Sequence, residues 1–189
     1  YQDHVVPNSD NYSQIPDSYD FPFEDNIPGF SSLPDGVSYP WKWKGERIVE
    51  WDTNGNEIWS WNAFDHFNLD DFDYMSGFWE NVASSNDPFD WTHFNALAYD
   101  ETENAVYVSS KNLSRITKID KNTGDIIWNV GTEWLGDTII TPDHMFSGQH
   151  GLQLLENGNL VFYDNGILSG FYDGTNIFKS SAIEMRINN

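Results

Sequence analysis

Two histidines hold matching places in two similar stretches of the sequence. His93 lies in "DWTHFNALAYDETENAVYVSSKN" (90–112), and His150 lies in "FSGQHGLQLLENGNLVFYDNG" (146–166). An imidazole changes charge near neutral pH. A pair of them can therefore bind an anion, act as nucleophile and base, or hold a metal. Asn95 follows His93 by two residues, which on a strand puts both on one face. A carboxamide there can donate to an oxyanion. Lys111, in "SSKNLS", falls at the end of the next strand, where a cation would offset an anionic ligand. Each residue also has a bland explanation. A repeated histidine can tie neighbouring strands, an asparagine can be a satisfied polar group, and a lysine at a hairpin end can face water.

A second cluster is acidic. The run "AFDHFNLDDFD" holds Asp65, Asp70, Asp71 and Asp73 around His66. Carboxylate oxygens suit Ca²⁺, but the run lacks the spacing and glycine of an EF-hand loop. The four aspartates form a weak calcium candidate, and no other cofactor is expected. The sequence contains no Gly-rich phosphate loop, no G-x-S-x-G elbow and no H-E-x-x-H motif.

The elements that would position these residues are strands. Nine Trp, nine Tyr and thirteen Phe, with Val/Ile-rich runs, favour sheet over helix. "RIVEWDTNGNEIWSW" (47–61) and "RITKIDKNTGDIIWNV" (115–130) each read as strand, Asn/Gly turn, strand. Asp52 and Asp120 are 68 residues apart, and the same step reaches Asn188. Within that period, each histidine opens a further strand–turn–strand. One unit is thus four antiparallel strands, and such units in series are the signature of a β-propeller. The expected layout is an all-β chain with one complete blade at 91–130 and partial blades at 46–61 and 148–189. That makes about two and a half to three blades, whereas a closed ring takes roughly four to eight. The expectation is a fragment, or a ring completed by the rest of its own propeller or by other chains. Residues 1–45, rich in proline, read as an extended irregular arm. Residues 62–90 and 131–147 read as long insertions between blades.

Charge narrows the partners. Thirty Asp and Glu against nine Lys and Arg give a net charge of −21. Such a field repels nucleic acid. No run approaches the roughly 18 apolar residues of a membrane-spanning helix. With no cysteine, thiol nucleophiles, disulfides and cysteine metal sites are excluded.

Taken together, W-x-H-x-N, SS-[RK]-x-x-S, I-D-x-x-T-G-x-I-x-W, Q-H and the "YDNG" element resemble the arylsulfotransferase family. The likeness extends over about 46–187 and concentrates in 90–166. It implies a six-bladed propeller, usually secreted, periplasmic or at the cell surface. Such an enzyme passes a sulfuryl group from an aryl sulfate donor to a phenolic acceptor, without a nucleotide sulfate. The group rests transiently on a histidine, in a ping-pong route. His150 matches that nucleophile, and His93 and Asn95 match the anion-binding pair. Lys111 stands where the enzymes carry arginine. His66 is the one candidate for a further channel histidine. The alternative is a secreted propeller without catalysis, acting as a binding or assembly module. The acidic surface and the arm favour it, and the paired histidines favour the enzyme.

Overall fold

The hairpin turns are built by short polar side chains that bond to their own backbone. Asp52 Oδ1 accepts from the backbone N–H of Asn54 and Asn56, each at 2.8 Å. Asp120 Oδ1 accepts from Asn122 N at 2.7 Å, and Asp100 Oδ1 from Thr102 N at 2.8 Å. Asn157 Oδ1 accepts from Asn159 N at 3.0 Å. Gly55, Gly124 and Gly158 then turn the chain with φ of 82°, 80° and 81°, a conformation that glycine adopts without steric cost.

A computed structural model describes residues 12–14, 42–68, 71, 89–135, 138–139, 145–169 and 177–187. In chain order its elements are β1 (Tyr12–Gln14), β2 (Lys42–Lys44), β3 (Arg47–Trp51), β4 (Glu57–Asn62), α1 (Ala63–His66), β5 (Phe89–Asp90) and β6 (Phe94–Asp100). They continue with β7 (Ala105–Ser110), β8 (Arg115–Asp120), β9 (Ile126–Gly131), β10 (Trp134–Leu135), β11 (Thr138–Ile139), β12 (His150–Leu154), β13 (Leu160–Asp164) and β14 (Ser181–Met185). The described residues are nearly all-β, and α1 is a single helical turn.

Strands β6 to β9 form a four-stranded antiparallel meander. Strands β12 to β14 form a three-stranded one, and β3 and β4 a hairpin. These are shapes compatible with propeller blades. The 1–45 segment, expected to be irregular, supplies β1 and β2. They pair with each other, and β2 runs parallel to β5. The rest of that arm and most of the insertions at 62–90 and 131–147 lie outside the described residues.

Burial follows position in the meander. Every residue of β7 is buried, as are the first five of β8. Central strands covered on both faces read as continuous apolar or small-residue runs. Strand β9 alternates between exposed and half-buried residues, as an outer strand does. Strand β12 lies against β6, so the first strands of successive meanders meet. Between them Tyr107, Ile116, Phe146, Leu152, Leu160 and Phe162 make one core. Phe146 meets Phe162 edge-on, with ring centroids 4.8 Å apart.

A second aromatic cluster joins the β3–β4 hairpin to the four-stranded sheet. Phe67 packs edge-on against Trp61, Trp91 and Phe94. The Trp61 indole N–H donates to the Gly124 carbonyl at 2.8 Å, tying the hairpin to the β8–β9 turn.

Arg115 closes this cluster from beneath. Its side chain is 4% exposed, and it lies 5.7 Å from the centre of the Phe67 ring. Both its terminal nitrogens donate to the Asp71 carboxylate, one of them at 2.8 Å. The guanidinium also donates to the Thr132 carbonyl at 3.0 and 3.3 Å. Truncating one partner of a buried pair leaves the other charge uncompensated, at a cost of about 3–5 kcal/mol. Asp71→Ala should therefore lower the urea-unfolding free energy by about 3 kcal/mol with an unchanged m-value. A loss below about 1 kcal/mol would mark the pair as solvent-screened.

Candidate active site

His93 sits immediately before β6 with φ of +49°, a left-handed conformation that a non-glycine residue adopts at a cost of roughly 1–2 kcal/mol. Four neighbours over-determine it. The buried Glu46 carboxylate accepts from the Thr92 hydroxyl and from the Phe94 backbone N–H, the latter at 3.0 Å. The His93 carbonyl accepts from Lys111 N at 3.1 Å, and Thr92 O from Asn112 N at 3.3 Å. The Asn112 amide donates to the Asp90 carbonyl. Burial pushes the Glu46 carboxyl above its usual range, against the pull of its two hydrogen bonds.

The ring of His93 is half-exposed and bonds through Nδ1 to Asp90 Oδ2. Lys44 Nζ lies 3.5 Å from the other Asp90 oxygen. Burial raises the Asp90 carboxyl, but the bond and charge of His93, with the charge of Lys44, outweigh it and leave it below the usual range. An ionised carboxylate only accepts, so Nδ1 of His93 carries a hydrogen.

His150 begins β12 on a loop that is fastened along its length. Ser147 N donates to Asp164 Oδ1 at 2.8 Å, and Gly148 N to Ser114 Oγ at 3.1 Å. The fully buried Gln149 amide donates to Ser109 Oγ, Ser110 O and Arg115 O at 3.0, 3.1 and 2.9 Å. Asn95 Nδ2 donates to the Gln149 carbonyl at 2.7 Å. Gly151, with φ of +68°, falls where the β12–β13 register shifts, a bulge of the kind that re-aims a side chain.

His150 Nδ1 lies 2.9 Å from Asn165 Nδ2. Burial lowers the pKa of His150 below its ordinary value. A bond to the Gly148 backbone opposes this, and the charges of Lys111 and His93 push it down further. The Asn95–Gln149 bond and the bond from Lys111 N to the His93 carbonyl place Lys111, His93 and His150 at the same end of β6 and β12. The Lys111 ammonium donates to Asn112 Oδ1 at 3.1 Å.

Of the residues singled out in the sequence, His93, Asn95, Lys111 and His150 thus gather at one place. Asn95 acts there partly as a tie to the loop of His150, and its Oδ1 is buried. His66 does not join them. It is exposed and stacks on Trp61, centroids 4.4 Å apart, beside the turn at the far end of β8. Asp71 is bonded to Arg115, Asp65 is exposed, and Asp70 and Asp73 lie outside the described residues. Among the described residues no three His, Asp or Glu side chains are grouped to hold a metal.

Asp90, Lys44, Gln149 and Asn165 were not picked out from the sequence. Asp90 stands three residues before His93 in "DWTH", and Asn165 lies in "YDNG", so proximity to a motif was the available signal. The arrangement offers a neutral imidazole, a second imidazole backed by a carboxylate, and a cation beside both. That set can bind a tetrahedral oxyanion and attack its central atom.

The family model for Arylsulfotransferase (ASST) matches residues 40–189. Comparison with curated proteins finds no match.

Titration of the His150 ring by ¹⁵N NMR should give a midpoint below 6.5. Removing a neighbouring positive charge lowers the cost of protonation, so Lys111→Met should move that midpoint upward. A midpoint that stays put would show that Lys111 does not act on His150.

Proposed function

The chain belongs to the arylsulfotransferase family, and from that premise we propose that it moves a sulfuryl group between phenols through a sulfohistidine at His150. The observation that carries this reading is the gathering of His93, Lys111 and His150 at one end of β6 and β12, with the Asp90 carboxylate on His93 Nδ1. In the first half-reaction the Nε2 lone pair of His150 attacks sulfur. The S–N bond forms as the S–O bond to the aryl oxygen breaks, and the phenolate leaves with that electron pair. His93, entering as the imidazolium paired with Asp90, gives its Nε2 proton to the departing oxygen and keeps its Nδ1 hydrogen. In the second half-reaction the acceptor phenol returns a proton to His93 Nε2, and its oxygen attacks sulfur. The S–N bond then breaks, and the pair returns to His150.

The charge of the transferred group sits on its oxygens throughout. Positioning and donors therefore dominate catalysis, as they do in phosphoryl transfer. Lys111 supplies a point charge where a guanidinium would clamp two oxygens at once. The family's usual placement supports a secreted, periplasmic or cell-surface site of action. No helix among the described residues is long and apolar enough to cross a membrane. Further blades, from the rest of the same chain or from other chains, would complete the ring around this site.

With 4-nitrophenyl sulfate the intact protein should release a burst of nitrophenolate equal to the protein present. Steady-state rates against donor and phenol should then give parallel double-reciprocal lines. His150→Ala should remove the burst. His93→Ala should keep it but slow it by roughly 10²–10³-fold, the usual loss for one charge-stabilising donor. Lys111→Arg should raise the rate. A protein that releases no nitrophenolate would overturn the transfer reading and leave a propeller used for binding or assembly.

A further inference from the structure

The two imidazoles of the site are held in the same way by different chemistry. Each has its Nδ1 engaged from behind, His93 by the Asp90 carboxylate and His150 by the Asn165 carboxamide. A carboxylate favours a second proton on its imidazole, whereas an amide adds no charge. The difference matches two different tasks.

We propose that Asn165 is a positioning residue whose amide oxygen holds the Nδ1 hydrogen of His150 and so directs the reactive lone pair to Nε2. The inference rests on the sulfuryl-transfer reading above and assigns to that reaction a residue that touches neither substrate nor sulfur. A carboxamide presents its nitrogen or its oxygen after a half-turn of its end, because the two are nearly the same size. With the nitrogen donating to Nδ1, Nε2 would carry the hydrogen and have no lone pair to offer. With the oxygen accepting, Nδ1 carries the hydrogen and Nε2 is the nucleophile.

Nδ2 is the atom that stands at Nδ1 here, so attack through Nε2, as proposed above, requires the half-turn that brings the oxygen there. Asn165 is only partly buried, so its end can turn, but its backbone is fixed. The Asn165 carbonyl accepts from Ser180 Oγ at 3.0 Å. On either side of it, Asp164 Oδ1 accepts from Gly166 N at 2.8 Å and from Ser147 N at 2.8 Å. Gly166 N also donates to Ser147 O at 3.1 Å. The strand end that carries Asn165 and the loop that carries His150 are therefore locked together by Asp164 and Ser147. Lys111 and His93, which couple electrostatically to the ring, are both donors when charged. Among these neighbours only the amide oxygen and the Gly148 backbone can accept a hydrogen from the ring.

The same arrangement shapes the second half-reaction. When Nε2 attacks sulfur, the Nδ1 hydrogen stays in place and the product is an N-sulfoimidazolium. Its positive charge makes the ring a good leaving group when the acceptor phenol attacks. A carboxylate in place of the amide would draw that hydrogen away. It would leave a neutral N-sulfoimidazole, from which transfer is slower.

The test has two readouts on the intact protein. In ¹⁵N NMR of the neutral His150 ring, Nδ1 should be the hydrogen-bearing nitrogen in the wild type. Asn165→Ala should populate both tautomers and slow the nitrophenolate burst about 10–100-fold, the loss usual for an outer partner of a reactive histidine. Asn165→Asp should keep the burst, slow the later transfer to phenol, and raise the midpoint of His150 titration. A wild-type ring with its hydrogen on Nε2 overturns the proposal. So does an Asn165→Ala protein with wild-type tautomer and burst. The wild-type spectrum requires no variant to fold. The tautomer is also read without any sulfate ester, so failure of the transfer reading would appear separately, as a missing wild-type burst.

Discussion

The tie between β6 and the loop before β12 is the constraint on which the site depends. Asn95 donates to the Gln149 carbonyl, and the Gln149 side chain reaches back to Ser109, Ser110 and Arg115. One end of the tie is two residues from His93, and the other is adjacent to His150. A typical hydrogen bond contributes only about 1 kcal/mol net. A buried carboxamide stripped of its partners costs more than that, so the four bonds are made together or lost together. Their role is geometric. They bring residues from two separate meanders to one point, which neither sheet could do alone.

With position fixed, chemistry is divided by what stands behind each ring. Asp90, held ionised, gives His93 a partner for a proton and suits it to acid and base work. His150 is half-buried beside Lys111 and His93, with the Asn165 amide and the Gly148 backbone as bonding partners. The neutral form is favoured there, and neutral imidazole is the form that attacks. Two titratable groups whose surroundings separate their roles are a common design of acid–base sites. Glu46 belongs to the same assembly at one remove. It fixes the left-handed turn that aims His93, and without it that strained backbone has fewer reasons to persist.

Much of the fold was legible in the sequence, because it is written in local chemistry. The Asp-x-Asn and Asx-Gly turns at Asp52, Asp120 and Asn157 bond to their own backbone, and strands on either side follow from them. The matching positions of His93 and His150 in successive units pointed to a shared site for the same reason. What could not be read there depends on distant contacts. Asp71 stands in an acidic run, and nothing near it in sequence shows that it bonds to Arg115, 44 residues away. Asn95 read equally as an oxyanion donor or as a satisfied polar group, and its partner, a backbone carbonyl 54 residues on, could not be named from the sequence. Asp90 and Asn165 have ordinary neighbours in sequence. Only folding shows that each lies behind a histidine.

The central claim is that His150 carries the sulfuryl group covalently. The most direct measurement is rapid mixing of the intact protein with an aryl sulfate, quenching at alkaline pH and mapping of the modified peptide by mass spectrometry. The account predicts a sulfuryl adduct on the His150 ring that disappears when a phenol is added before the quench. An adduct on His93 or any other side chain, or turnover with no adduct at all, would contradict it.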